Sequence, residues 1–219
     1  LGETRDPVAL RRGRALAAYV ASARFRVDMI EGTRAPFADE AERLFALRPS
    51  LRPVESYDAV LARTGAPVPG NGPLADRAQA LRARYVVPRA RLHAVIDAAI
   101  AECRRRTAAH MTLPENERFS LEFVTGQSWS GYNYYLGGNQ SRILVNTDLP
   151  VTIDRAVTLG CHEGYPGHHV QGVNAERLYR ERGWVEYSVL PLFSPQGPPN
   201  EGGGNYGVDL AFPGDEQLA

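Results

Sequence analysis

The sequence predicts a mainly α-helical protein with a small antiparallel β element around residues 119–147. Apolar residues recur at helical spacing through much of residues 1–115, and at Phe119, Leu121 and Phe123 the period changes to strict alternation. Two β-rich runs then flank Gly137-Gly138-Asn139, as in a hairpin. The chain thus reads as a helical region, 1–115, followed by a region of hairpin and helices, 116–219. The two form one continuous domain, since 219 residues suffice for a core without staples.

The first helix begins after Asp6, an acceptor side chain placed before Pro7, and runs to about Ile30 with Leu10, Leu16, Tyr19, Val20 and Val27 as its apolar stripe. A second covers about Phe37 to Leu47, and a third is capped by Ser56 and ended by Gly65. After the loop at 66–73, helices are expected from about Leu74 to Tyr85 and from Pro88 to Met111. The latter carries Leu92, Val95, Ile96, Ala99 and Cys103 on one face. Helical patterning resumes near Val151 and again over Val173 to Arg182, and residues 194–204 are rich in proline and glycine.

Composition excludes several classes of function. The chain has 25 basic residues, all arginine, against 25 acidic ones, so it lacks the broad positive surface of a nucleic-acid binder. No run approaches the ~20 apolar residues of a membrane span. Cys103 and Cys161 follow no metal or redox spacing and fit a reducing compartment. With no signal-like segment in what begins at Leu1, the cytoplasm is the expected location.

Three of the five histidines fall within Cys161-His162-Glu163-Gly164-Tyr165-Pro166-Gly167-His168-His169, at the end of an apolar helix. Imidazoles ligate metals near neutral pH, and a His-Glu step sets a ligand beside a carboxylate that can act as general base, here Glu163. In the common zinc motif the second histidine follows four residues after the first, but here that position is Pro166. On a regular helix His168 would lie about 120° off the face of His162, and His169 about 10 Å further along the axis. A bulge at Pro166-Gly167 would return His168 toward His162, and His169 is the alternative ligand. The third ligand is expected at Glu201, 33 residues after His168, at the head of a glycine-rich run. Tyr206 is a candidate donor to a developing oxyanion.

HEGYPGHHVQ, preceded by RILVNTDLP and followed by Glu201-Gly202 and Tyr206, resembles the bacterial family called domain of unknown function 885, a group of metallopeptidase-like proteins. The resemblance covers about Phe119 to Phe212. It implies a helical zinc-peptidase-like scaffold with a small sheet, and it favours His168, in a Gly-His pair, as the second ligand. Members usually have an aromatic residue and an alanine where this chain has Gly203 and Gly204, and an acidic residue where it has Val208. They are also longer, so the chain is expected to be a fragment or a shortened relative.

The expectation is therefore one Zn²⁺ held by His162, His168 and Glu201, with Glu163 as base and a peptide or small amide as substrate. Tyr135, in the aromatic run from Trp129, and Asn146, on a strand able to align an extended substrate, are the expected substrate contacts. Cys161 reads as a small buried neighbour of His162 rather than a nucleophile. Two alternatives remain open: a non-peptide amide or ester hydrolase on the same site, and a non-catalytic helical binding protein with a degenerate site.

Overall fold

The computed structural model describes residues 4–218, and it is mainly helical with one three-stranded sheet. Helix α1 (Pro7–Ile30) starts as its sequence dictates, with the Asp6 carboxylate accepting the backbone N–H groups of Val8 and Ala9. Its buried face differs from the predicted stripe. Val20, Val27 and Ile30 are exposed, whereas Ser22 and Phe25 are buried. The reason is position: α1 packs against α2 (Phe37–Phe45) and the segment around 186–193, where Arg12 grips Glu186 with two N–H groups at 2.5 and 2.8 Å and Ser22 Oγ donates to the Phe193 carbonyl. Helix α3 (Asp58–Gly65) is not capped by Ser56. A 3₁₀ turn over Val54–Tyr57 precedes it, and Ser56 Oγ donates back to the Pro53 carbonyl.

Helices α4 (Leu74–Ala83) and α5 (Leu92–Ala108) follow. The buried face of α5 is Leu92, Ile96, Ile100, Cys103 and Thr107, spaced by three and four residues. α5 lies on the N-terminal side of residue 115 yet packs into one core with Ile143, Val145, Ala156, Leu159, Cys161, Tyr165, Val170 and Val208 from the other side. The two regions read from the sequence share that core.

The sheet is mixed. Strands β2 (Gly131–Gly137) and β3 (Gln140–Asn146) form the predicted antiparallel hairpin, but β1 (Arg118–Val124) adds to β3 in parallel, giving the order β1-β3-β2. β3 is thus central, and both of its edges are paired. The expectation that Arg142 to Asn146 aligns a substrate by strand addition fails for that reason: its N–H and C=O groups are already engaged by β1 and β2.

Cys103 and Cys161 are joined in a disulfide, with Cα atoms 5.4 Å apart. The two cysteines, which show no paired spacing in the sequence, are thus bonded to each other rather than free thiols. Cys161 is fully buried beside His162, as expected of a non-nucleophilic neighbour. The bond closes a loop of 58 residues, so reduction is expected to cost about 4 kcal/mol through the freed entropy of the unfolded chain. Thermal melts with and without reductant check this, and coincident melts would contradict it. Among the described residues no helix is long and apolar enough to cross a membrane.

Candidate metal centre

Helix α6 (Ile153–Leu159) continues into a π-helical turn over Gly160–Gly164 that carries His162 and Glu163. Tyr165 is extended and ends the turn. The chain then closes on itself through Tyr165 N–H to the Gly160 carbonyl (3.2 Å) and Gly167 N–H to the Cys161 carbonyl (2.9 Å). These bonds span five and six residues instead of four, so extra residues are looped out before α7 (His168–Arg182) begins. This is the bulge the spacing called for, and it brings the His162 and His168 rings to 4.6 Å, nearly perpendicular.

The third predicted ligand arrives from a helix. The proline- and glycine-rich run noted at 194–204 leads into α8 (Gly197–Ala211). Glu201 Oε2 lies 3.5 Å from His162 Nε2, and Glu201 Oε1 lies 3.4 Å from His168 Nε2. Two ligand atoms each about 2.1 Å from a tetrahedral zinc are about 3.4 Å apart, so both of these spacings fit such an ion, and the ligand atoms of His162, His168 and Glu163 all lie within 4.8 Å of one another. Glycine is required here. A Cβ on Gly204 would stand 2.9 Å from Nδ1 and Cε1 of His162, so α8 reaches the imidazole only without one.

The His168 imidazole is held from behind. His168 Nδ1 pairs with Gln171 Oε1 at 2.9 Å, and Gln171 Nε2 donates to the Asn200 carbonyl at 3.0 Å, linking α7 to α8. Burial and the neighbouring His168 lower the pKa of His162 and favour the neutral ring that binds metals. Glu163 is 4% exposed; its Oε1 lies 4.0 Å from His162 Nε2, and its Oε2 has no hydrogen-bond partner. Burial raises its carboxyl to about 7, with His168 and Arg155 pulling down and Glu201 pushing up. A buried acceptor without a partner, facing two imidazoles, fits a site built around a cation.

Other predicted residues fall elsewhere. His169 is fully buried and both ring nitrogens are engaged, Nδ1 with Ser141 Oγ (2.8 Å) and Nε2 with Glu117 (3.0 Å), so of the two candidates it is His168 that faces the cluster. Glu117 also accepts from Tyr165 and from Arg104 Nε (2.6 Å), a buried network that ties α5 and the turn to the sheet. Tyr206 is 59% exposed and does not line the cleft beside Glu163. On a helix it stands about 140° round from Glu201, whereas Asn205 stands within about 40° and does line the cleft. Asn146 lines the cleft, but its amide is spent on backbone. Nδ2 donates to the carbonyls of Gln127 (3.0 Å) and Trp129 (2.9 Å), and Oδ1 accepts Asp148 N–H (3.0 Å).

Tyr135 is also outside the cleft. Its ring covers Gly172 and its hydroxyl donates to Glu176, bracing β2 on α7. Burial alone would raise the Glu176 carboxyl, but hydrogen bonds from Tyr135, from the N–H groups of Gly138 and Asn139 and from Arg180 hold it down at about 2. A depressed carboxyl contributes stability that is complete above its ordinary value near 4.5 and is lost as the pH falls toward 2. Denaturant midpoints of Glu176→Gln are therefore expected to decline less than wild type across that window. Parallel declines would show that the brace carries no such linkage.

Gln171, Asn205 and Arg155 escaped the sequence reading. Gln171 alone left a signal, standing three residues after His168 on one helical face. The cleft, of about 680 Å³, is lined by His162, Glu163 and Glu201 together with Trp129, Arg155 and Asn205. Compared with known proteins, the chain matches no protein-family model, no curated protein and no solved structure.

Proposed function

We propose that the chain is a metal-dependent hydrolase acting on peptide or other small amide bonds, with zinc held by His162, His168 and Glu201. The observation that carries this reading is the approach of the Glu201 carboxylate to the His162 and His168 imidazoles, beside a buried Glu163 whose Oε2 has no partner. The resemblance of HEGYPGHH and the downstream Glu201 to the domain of unknown function 885 family points the same way. Two nitrogens and an oxygen from the protein are a donor set that suits zinc. A bound zinc would supply Lewis acidity, activating water and polarising a carbonyl.

The chain's own residues do the remainder. Glu163 takes the proton from the attacking water and returns it to the leaving nitrogen. Gln171 orients the His168 imidazole, and the disulfide holds the turn that carries His162 and Glu163 against α5. Elemental mass spectrometry on purified protein tests the centre. About one zinc per chain is expected after incubation with the metal, lost in a folded His162→Ala variant. A folded wild-type chain that takes up no metal would sink the proposal.

A further inference from the structure

Among the described residues, a cation faces the cleft with no salt bridge to a carboxylate. Arg155, on the first turn of α6, lines the same cavity as His162, Glu163 and Glu201, and no salt bridge among the described residues engages it. Of the carboxylates that line the cleft with it, Asp148 accepts Gly126 N–H at 2.6 Å and Glu201 faces the two imidazoles, while buried Glu163 feels the charge of Arg155 but forms no salt bridge with it. Its only hydrogen bond among the described residues is to Ser130 Oγ. A guanidinium has five N–H donors, so most of its planar fork is unused.

The guanidinium is also positioned. Ser130 belongs to the loop entering β2, and its carbonyl accepts Asn146 N–H at 2.9 Å. The Asn146 amide then pins that loop at Gln127 and Trp129. The residue predicted to touch substrate thus acts one step back, holding the loop that holds Arg155. An arginine fixed by a neutral hydroxyl at the wall of a cleft is arranged to receive a planar anion from solution.

Building on the hydrolase reading, we propose that Arg155 is the specificity residue of the site and receives a substrate carboxylate, so that the preferred substrates are short peptides bearing a free carboxylate near the bond cut. The cleft is the size of those that take small ligands, which places that carboxylate within a few residues of the scissile bond. A free C-terminus and an acidic side chain present the same chemistry.

The test compares three probes on the zinc-loaded chain: acetyl-trialanine, its C-terminal amide, and the amide of acetyl-alanyl-glutamyl-alanine. The free acid is expected to exceed the trialanine amide in kcat/KM by about 10- to 100-fold. A comparable gain for the glutamyl amide would assign the carboxylate to a side chain instead. Arg155→Met is expected to bring the ratio to about one at unchanged zinc content, and Arg155→Lys to recover part of it. Equal rates for all three probes, or a preference that survives Arg155→Met, would overturn the assignment. Should Arg155→Met fail to fold, the comparison of probes on the wild-type chain still decides.

Binding separates this from the broader reading. If no probe is cleaved, calorimetric titration of the same three is read instead. Tighter binding of a carboxylate probe, lost in Arg155→Met, would keep Arg155 as an anion receptor and overturn the hydrolase. Equal binding would overturn the receptor as well.

Discussion

Glu163→Gln is expected to lower amide hydrolysis by about 10²- to 10⁴-fold while the chain keeps its full zinc content. Glutamine has nearly the shape of glutamate, so the buried side chain keeps its packing, but an amide takes no proton from water. The zinc measurement is what gives the variant its force. Glu163 lies close enough to His162 and His168 to be grouped with them as a potential ligand. A ligand role predicts that metal and turnover fall together, whereas a base role predicts that only turnover falls. Glu163 Oε1 is 4.0 Å from His162 Nε2, whereas Glu201 offers an oxygen to each imidazole at 3.4 to 3.5 Å, and the proposed function therefore takes Glu201 as the ligand and Glu163 as the base. Unchanged turnover in a zinc-loaded Glu163→Gln protein would remove Glu163 from the chemistry.

Gly167→Ala is expected to destabilise the fold by about 3 kcal/mol or more. A Cβ there would stand 1.8 Å from the His162 carbonyl oxygen and 2.4 Å from that of Cys161. Both are backbone atoms of the π-helical turn, and the turn has little room to yield. Gly167 N–H is bonded to the Cys161 carbonyl, Cys161 is bonded to Cys103, and Tyr165 is anchored on Glu117. The control is Gly202→Ala, also in this half of the chain. Nothing lies within 4 Å of a Cβ at that helical position, so the added methyl group is expected to stabilise by up to about 1 kcal/mol. Thermal melts of the two variants should move in opposite directions. A Gly167→Ala melt matching wild type would show that the looped turn is more yielding than its packing indicates.

The parts of the fold legible in the sequence are those governed by local rules. Asp6-Pro7 starts α1, the spacing of Leu92, Ile96 and Cys103 marks the buried face of α5, and Gly138-Asn139 joins β2 to β3. Each depends on residues within a few positions of one another. The strand order does not, because alternation at Phe119, Leu121 and Phe123 marks a strand without naming its neighbour. Nor could local rules find α8, where three successive glycines oppose helix formation. Packing of Gly204, Gly207, Val208 and Ala211 against the turn and core overrides that propensity. The helix also decides the place of Tyr206, which it carries about 140° round from Glu201.

By itself the sequence determined a mainly α-helical chain with one hairpin, and the residue types of a candidate metal centre, because caps, periods and the clustering of histidines are written in neighbouring positions. Only the tertiary structure decided which histidine joins His162, that Asn146 and Tyr135 brace the scaffold, that the cysteines pair, and that Arg155 faces the cleft. All of these depend on contacts between segments far apart in the chain, such as α8 on the π-helical turn and the 127–130 loop on α6. Such contacts are selected by how the whole core packs, and no local pattern encodes them.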